Sequence, residues 1–99
     1  MVTWDGTAGF LFNRASIAAN APEASGVYAL FNEGVWLYIG EAQNIKERLL
    51  QHLTNSHNPD VTKANPQWFA YELVAPVFRV GRQNLLIASF CPTCNKRLG

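Results

Sequence analysis

The stretch GVYALFNEGVWLYIG, residues 26–40, decides the fold of this chain. It contains two runs rich in β-branched and aromatic residues, Gly26–Phe31 and Val35–Ile39, separated by Asn32-Glu33-Gly34. Such runs favour strands, and a short polar segment that ends in glycine is typical of a hairpin turn. The stretch therefore predicts two antiparallel strands, the second of which ends at Gly40.

An amphipathic helix is predicted directly after this hairpin. Asn44 is a suitable N-cap residue, and Glu47 follows it three residues later, as in a capping box. Ile45, Leu49 and Leu53 recur at helical spacing. They predict one buried stripe and a helix that ends near Leu53.

Two side chains of types that bind phosphate or transfer protons lie beside that stripe. Arg48 and His52 are four residues apart, so they are neighbours on one helix face. A guanidinium group binds two phosphate oxygens at once, and an imidazole titrates near neutral pH. The alternatives are a surface arginine paired with Glu41 or Glu47, and a histidine on the helix surface.

The remainder of the chain completes a small α+β domain. Trp68–Val74 alternates like a strand that Pro76 stops, and Arg82–Phe90 is predicted to be a buried helix that Pro92 ends. The polar segment Thr54–Asn65 is predicted to be a loop. The predicted order is β-β-α-β-α, a small three-stranded antiparallel or mixed sheet flanked by helices.

The sequence before the hairpin is interpreted as an addition to this domain. Residues 1–21 are expected to form an accessory segment packed on the core, and residues 22–99 the main domain. Phe10-Leu11-Phe12 is apolar, and Ser16–Asn20 is predicted to be a short helix that ends before Pro22.

Length and composition exclude several classes of protein. Ninety-nine residues, 48% of them apolar, fit one folded domain with a modest core. No stretch approaches the roughly 18 apolar residues of a membrane-spanning helix, and the start lacks the basic region of a secretory signal. We therefore expect a cytoplasmic protein that does not contact a membrane.

The net charge of +1 is unevenly distributed along the chain. No acidic residue follows Glu72, whereas Arg79, Arg82, Lys96 and Arg97 all lie beyond it. This predicts a positive face, and we interpret Arg79 and Arg82 as contacts to nucleic acid. A solvated basic tail is the alternative, and the near-zero net charge leaves open an interaction domain that does not bind nucleic acid.

Cys91 and Cys94 form a Cys-x-x-Cys pair, a spacing found in zinc and redox sites. A zinc site needs two further ligands, and His52 and His57 are the two histidines of the sequence. We interpret the pair as two reduced thiols near the end of the last helix.

The two ends of the hairpin resemble the motifs of the GIY-YIG nuclease family. Gly26-Val27-Tyr28 matches the first motif with valine in place of isoleucine, and Tyr38-Ile39-Gly40 matches the second. Arg48 and His52 fall where the family has an arginine and, in many members, a histidine. Pro92 and Asn95 are similar to the family's closing Pro…Asn pattern, so the resemblance runs from about residue 22 to the C-terminus.

The resemblance implies a metal-dependent endonuclease that hydrolyses DNA with Mg²⁺ or Mn²⁺ as its cofactor. It implies that Tyr28 is the general base or positions the attacking water, and that the Tyr38 hydroxyl faces the same site. Arg48 is expected to bind the phosphate. His52 is expected to protonate the leaving group or to hydrogen-bond Tyr28 or the phosphate. Packed strand aromatics are the alternative for both tyrosines.

Further contacts to DNA are expected around these four residues. Gly40 allows close approach of the backbone to a phosphate, and Lys46 adds a cationic contact. A domain of this size has little surface for reading a base sequence, so we expect a protein partner, a homodimer or DNA structure to supply specificity.

One position departs from the family pattern. The family places a metal-binding glutamate a few residues before a Leu-Ile pair, and Leu86-Ile87 puts this position at Gln83. Glutamine carries no charge and is a poor ligand for a hard divalent cation. Neither Glu41 nor Glu72 has a clear claim to replace it, so the metal ligand stays unassigned. The chain is then a weakened or inactive nuclease, a silent nucleic-acid-binding module, or a form with an engineered Gln83.

Overall fold

The computed structural model describes residues 9–54 and 59–95 of the chain. Residues 1–8 of the expected accessory segment lie outside these ranges, as do Lys96 and Arg97. The elements in chain order are β1 (Phe10–Leu11), α1 (Arg14–Asn20), β2 (Gly26–Asn32), β3 (Val35–Ala42), α2 (Ile45–Thr54), α3 (Pro59–Ala64), β4 (Trp68–Leu73) and α4 (Arg79–Phe90), with a 3₁₀ turn over Pro76–Phe78.

The described strands form one antiparallel sheet in the order β1-β4-β2-β3. The predicted hairpin is confirmed, since β2 pairs with β3 and Gly34 has a φ of 76° in the turn between them. Only glycine adopts such a φ without a steric cost. Tyr28 lies on the central strand, directly opposite Gly40 on β3 and Tyr71 on β4.

The sheet has one strand more than the three predicted. The two residues of β1 pair with β4, and the ring of Phe10 lies 5.4 Å from that of Phe69. A two-residue run is too short to show the alternation that predicts a strand, so its pairing depends on the tertiary contact. The segment before residue 22 also adds Ile17 of α1 to the core, where it is fully buried.

Alternation along β2 divides the core between the two faces of the sheet. Tyr28 and Leu30 belong to the cluster that also holds Ile45 and Leu49 of α2. Val27 and Ala29 point to the other face, where they pack with Leu86, Ile87 and Phe90 of α4. Helices therefore cover both faces, with α2 on one and α4 on the other.

The predicted start of α2 is confirmed by its cap. The side-chain oxygen of Asn44 accepts a hydrogen bond from the backbone N–H of Glu47 at 3.0 Å. This bond satisfies one of the N–H groups that have no partner inside the helix. Because Asn44 follows Gly40 so closely, the cap fixes the direction in which α2 leaves the second motif.

The loop prediction for Thr54–Asn65 is wrong in its second half. Residues 59–64 form α3, with Pro59 at the first helical position and Val61 buried. Proline is favoured there because that residue's N–H has no helical partner. The polar sequence did not indicate this helix, because Val61 is the one buried residue of α3 and a single apolar position shows no helical periodicity. The last helix also starts earlier than predicted, at Arg79.

The segment after α4 follows the outer edge of β3. The backbone N–H groups of Thr93 and Cys94 donate to the carbonyl oxygens of Trp36 and Leu37, at 3.0 and 2.7 Å. Cys91 ends α4 in the left-handed region with a φ of 50°. Both cysteines are free thiols, and the described residues contain no group of three or more His, Cys, Asp or Glu side chains that could hold a metal ion.

The described helices give no indication of a membrane-spanning segment. None of the helices within residues 9–54 and 59–95 is long and apolar enough to cross a bilayer.

We expect Gly40→Ala to destabilise the fold by about 1–3 kcal/mol, because overpacking forces buried side chains to shift. A Cβ atom at position 40 would lie 2.7 Å from the Tyr28 hydroxyl oxygen and 2.9 Å from Cε2 of Tyr38. Gly81 on α4 is the matched control, since a Cβ there meets nothing within 4 Å. Gly81→Ala is expected to stabilise the helix by about 0.5–1 kcal/mol. Urea unfolding measures the change in the free energy of unfolding for each variant. Equal changes in the two variants would contradict the close packing at Gly40.

Candidate functional site

A buried hydrogen bond joins the two sequence motifs to α2. The Tyr28 hydroxyl and Nε2 of His52 are 2.7 Å apart. Tyr28 is 0% exposed and His52 is 6% exposed, so water does not compete for this contact. Tyr28 comes from the central strand and His52 from the end of α2. The bond therefore fixes the helix against the middle of the sheet.

Tyr38 lies beside this pair on β3. Its ring centroid is 6.1 Å from that of Tyr28 and 5.2 Å from that of His52. Tyr38 is half-buried, whereas Tyr28 is fully enclosed. Of the two tyrosines, Tyr38 is therefore the one that solvent reaches. Gly40 makes the arrangement possible, since any larger side chain would occupy the place of the Tyr28 hydroxyl.

Arg48 completes the cluster from one helical turn before His52. It is half-exposed, and its positive charge acts on the phenol groups of both Tyr28 and Tyr38. A guanidinium group has five N–H donors, and that of Arg48 hydrogen-bonds the Tyr28 side chain. The structure thus brings Tyr28, Tyr38, Arg48 and His52 to one place, and we refer to these four residues as the tyrosine cluster.

Burial changes the acid–base character of this cluster. Burial is the largest cause that raises the pKa of Tyr28 far above its usual value, and the neighbouring Tyr38 raises it further. The Arg48 guanidinium opposes this through its charge and hydrogen bonding, but it does not overcome the burial. Burial likewise raises the pKa of Tyr38, again against the influence of Arg48. Tyr28 therefore keeps its proton, and its hydroxyl stays hydrogen-bonded to Nε2 of His52.

The predicted DNA contacts Arg79 and Arg82 lie on the other face of the sheet. Nε of Arg79 donates to a Glu41 oxygen at 2.7 Å, and Arg82 binds Glu72 through two bonds of 2.9 Å each. Both glutamates are register partners of Val27, whose side chain faces α4. Carboxylates therefore already neutralise the two arginines, and their role as DNA contacts stays a prediction.

Lys46 is also engaged with protein groups. Its Nζ donates to the carbonyl oxygen of Ala18 at 3.2 Å and lies 3.9 Å from a Glu23 carboxylate oxygen. The contact links α2 to α1, and a role for Lys46 at DNA stays a prediction.

Gln83 lies on α4, the helix that also carries Arg79 and Arg82. It is half-buried on α4, and its side-chain amide donates to Oδ1 of Asn84 at 3.3 Å. Within the described part of the chain, no hydrogen bond joins Gln83 to Tyr28, Tyr38 or Arg48.

The donor groups near Gln83 do not fit a hard divalent cation. Such ions take charged carboxylate oxygens as ligands, and Gln83 offers a neutral amide. The two carboxylates on the same face, those of Glu41 and Glu72, are bound to arginines. Both carboxylates are therefore engaged with guanidinium groups, whose positive charge repels a cation.

Asn95 has a positioning role that its place in the sequence pattern does not reveal. Its side chain accepts from the N–H of Ile39 at 2.8 Å and donates to the Ile39 carbonyl oxygen at 2.9 Å. Ile39 is the middle residue of the second motif, so Asn95 holds the strand that carries Tyr38. The residues are 56 positions apart, and no local signal predicts this contact.

Comparison with known proteins identifies the same region. The family profile described as GIY-YIG catalytic domain matches residues 24–96. A crystal structure of the GIY-YIG N-terminal endonuclease domain of UvrC from Thermotoga maritima, bound to its catalytic divalent cation, magnesium, is 27% identical with a TM-score of 0.71. The match covers 85% of this chain and 100% of that one. A point mutant of the same domain, also bound to its catalytic divalent cation, is 26% identical with a TM-score of 0.71, covering 86% and 100%.

Sequence relatives cover a shorter region. UvrABC system protein C of Bacteroides thetaiotaomicron is 42% identical over 48 residues, which is 48% of this chain and 8% of that protein. The match thus spans less than a tenth of that relative. The agreement in fold extends over most of the chain, including the predicted antiparallel sheet flanked by helices.

We expect the stability of the protein to fall above about pH 10, where tyrosine ionises in an unfolded chain. The raised pKa keeps the Tyr28 proton bound in the folded state. The folded state then binds more protons than the unfolded one, so the free energy of unfolding decreases as pH rises. Tyr28→Phe removes this contribution, and its free energy of unfolding should decrease less between about pH 9 and pH 11. Urea unfolding between about pH 9 and pH 11 measures this pH dependence for the present sequence and for Tyr28→Phe. An equal decrease of the free energy of unfolding in both proteins would contradict the buried, protonated phenol.

Proposed function

Because this chain belongs to the GIY-YIG catalytic domain family, we propose that it is an endonuclease domain that hydrolyses phosphodiester bonds of DNA, with an activity weakened by Gln83. The observation that carries the proposal is the hydrogen bond of 2.7 Å between Tyr28 and His52 beside a half-exposed arginine. It combines a proton donor, a proton acceptor and a fixed positive charge at one place, which is what phosphodiester hydrolysis requires.

Arg48 is the phosphate-binding group of this mechanism. Its charge persists at every working pH, and its planar fork matches two phosphate oxygens. The same guanidinium group lies close enough to both phenols to act on their pKa values. A phosphate bound by Arg48 is therefore placed next to the tyrosine hydroxyls.

Tyr28 and His52 move the proton of the attacking water. The raised pKa of Tyr28 makes a free phenolate unfavourable. A relay through the half-exposed Tyr38 avoids it: the water gives a proton to the Tyr38 oxygen, the Tyr38 proton passes to the Tyr28 oxygen, and the Tyr28 proton passes to Nε2 of His52. The resulting hydroxide attacks phosphorus, and the bond to the leaving oxygen breaks. In this step the tyrosine pair acts as a general base only with the help of His52.

Tyr38 orients the reacting groups at the open side of the cluster. It is the more exposed of the two tyrosines, and its hydroxyl can donate to a phosphate oxygen or to the attacking water. Gly40 leaves the backbone beside it accessible to the phosphate.

The divalent cation of the family is the component of this mechanism for which the present sequence offers the fewest ligands. The Thermotoga neighbour binds magnesium as its catalytic divalent cation. In this chain the corresponding ligand position is Gln83, and the adjacent carboxylates are held by Arg79 and Arg82. The proton relay is thus retained, while the donor set for a cation is not.

A catalytically silent nucleic-acid-binding module is the second candidate function. The neutral Gln83 amide favours it, because Arg48 still binds phosphate without a metal. The two candidates differ in whether bound DNA is cut.

The setting of the domain also stays a proposal. The boundary at residue 22, a cytoplasmic location, and a protein partner or homodimer that supplies specificity remain predictions. An exposed apolar surface near the start of α4 supports a protein contact, since such surfaces mark interaction sites. Its members are Leu73, Val77, Phe78, Val80 and Leu85, with exposures of 56% or more.

We expect Gln83→Glu to show Mg²⁺- or Mn²⁺-dependent cleavage at least ~10-fold above the present sequence, since a metal ion stabilises charge by several kcal/mol. The added carboxylate changes the side-chain volume very little. Adding Arg48→Ala to this variant should abolish the gain. Gln67→Glu is the matched control, because Gln67 is exposed in the loop before β4 and lies outside the cluster.

Cleavage is measured on plasmid, branched and single-stranded DNA. If Gln83→Glu binds metal and DNA but cuts none of these, the silent module is the correct function. If the present sequence already cuts at full rate, Gln83 is not the missing ligand, and Glu41 and Glu72 are the carboxylates to replace next.

We expect DNA binding that weakens as salt rises, because each neutralised phosphate releases counterions. Replacing Arg48 by glutamine should weaken binding and lower the salt slope by about one, the value for one lost phosphate contact. Arg14→Gln is the control, since Arg14 is exposed on α1. Fluorescence anisotropy with a labelled oligonucleotide gives both quantities. Affinity that does not change with salt would exclude the phosphate-binding role.

A further inference from the structure

The helix α4 carries a second apolar stripe on the side that faces away from the sheet. Leu86, Ile87 and Phe90 pack against the sheet and form the inner stripe. The outer stripe begins in the 3₁₀ turn before the helix and follows the spacing i, i+3, i+4, i+7, i+8 and i+11, which places its members on one helix face. These members are Val77, Val80, Gly81, Asn84, Leu85 and Ala88.

The outer stripe is open to solvent along most of its length. Val77, Val80 and Leu85 are 82%, 56% and 57% exposed, and Phe78, which follows the first member of the stripe, is 66% exposed. Asn84 is the one member with a polar side chain. A helix with apolar residues on both of its sides is normally buried on both. We therefore expect another protein surface to cover the outer stripe.

No charged side chain interrupts this surface. Arg79 and Arg82 are the charged residues of the sequence between positions 73 and 95. Arg79 pairs with Glu41 of β3 at 2.7 Å, and Arg82 pairs with Glu72 of β4 at 2.9 Å, so both arginines reach toward the sheet. Two copies of the outer stripe can therefore approach each other without bringing like charges together.

An uncharged apolar stripe fits a second copy of this chain better than an unrelated protein. Interfaces between transient partners are about as apolar as the rest of a protein surface, whereas homodimer interfaces are more apolar. Recognition of a different protein commonly uses complementary charges, which this stripe lacks. In a symmetric dimer the same patch contacts itself, so the patch has to be self-complementary. An apolar surface without charge meets this condition.

The exposed area determines how strong such a contact can be. Val77, Phe78, Val80 and Leu85 each expose on the order of 100 Å², which amounts to about 400 Å² per copy. A standard interface buries about 800 Å² per partner. The smaller members of the stripe add to the area but do not double it. We therefore expect a weak dimer that dissociates on dilution.

We propose that two copies of this chain associate through the outer stripe of α4 and form a symmetric dimer. The inference rests on the proposed function and deepens it, because it names the protein partner that was left open there. The sheet lies between the outer stripe and the tyrosine cluster, since Tyr28 packs toward α2 and Val27 toward α4. The contact therefore uses none of the four cluster residues, and each copy brings its own cluster to the dimer.

Sedimentation velocity of the present sequence tests the association directly. The mass should rise from one chain toward two between about 1 μM and about 1 mM protein, the range of a weak dissociation constant. The mass should also stop at two chains, because a symmetric contact uses up the patch of both copies. One chain at every concentration would overturn the proposal, and so would a mass that continues to rise beyond two chains.

Charged variants test whether the outer stripe is the contact. Leu85→Glu should raise the dissociation constant at least ~10-fold, because it places like charges on both sides of an apolar interface. Leu11→Glu is the matched control, since Leu11 lies on β1 outside the stripe and is 52% exposed, close to the exposure of Leu85. The dissociation constant of Leu11→Glu should stay that of the present sequence. An equal rise in both variants would overturn the assignment of the contact to α4.

A second variant keeps the test independent of the helix. Val77 precedes α4, where a carboxylate is favourable to the helix end, so Val77→Glu should remain folded and still weaken the dimer at least ~10-fold. Urea unfolding confirms that each variant is folded. A dimer of unaltered strength in both Leu85→Glu and Val77→Glu would overturn the proposal. The readout involves no DNA, so the cleavage test and this test can fail separately.

Discussion

The hydrogen bond between Tyr28 and His52 is the interaction on which the rest of the site depends. It crosses the interface between the central strand and α2, where both partners are almost fully buried. A bond in such surroundings is costly to leave unmade, because neither polar group can turn to water. The lack of a side chain at Gly40 and the cap at Asn44 are two local conditions that allow it.

The same burial decides how the cluster handles protons. A phenol enclosed by the core resists ionisation, and the single guanidinium group of Arg48 does not reverse this. The Tyr28 hydroxyl is held as one member of a hydrogen-bonded pair with Nε2 of His52.

The functional groups lie toward both faces of the sheet, and the Glu41 carboxylate raises the pKa of both Tyr28 and Tyr38. The face toward α2 carries the proton relay and Arg48. The face toward α4 carries Gln83 and two carboxylates that are each paired with an arginine. The neutral Gln83 amide is a poor donor for a hard cation, and the Glu41 and Glu72 carboxylates are each bound to an arginine.

The sequence by itself determined the hairpin and the capped helix α2, and it predicted that Tyr28, Tyr38, Arg48 and His52 belong to one site. These features arise from short-range periodicity, turn chemistry and motifs at fixed spacing, all of which a linear chain displays. The short strand β1 and the helix α3 were not predicted, because each depends on packing against distant residues. The tertiary structure alone decided that Arg79 and Arg82 are paired with Glu41 and Glu72, and that Asn95 holds Ile39. These contacts join residues from 10 to 56 positions apart. A local sequence pattern does not indicate which distant side chains contact each other.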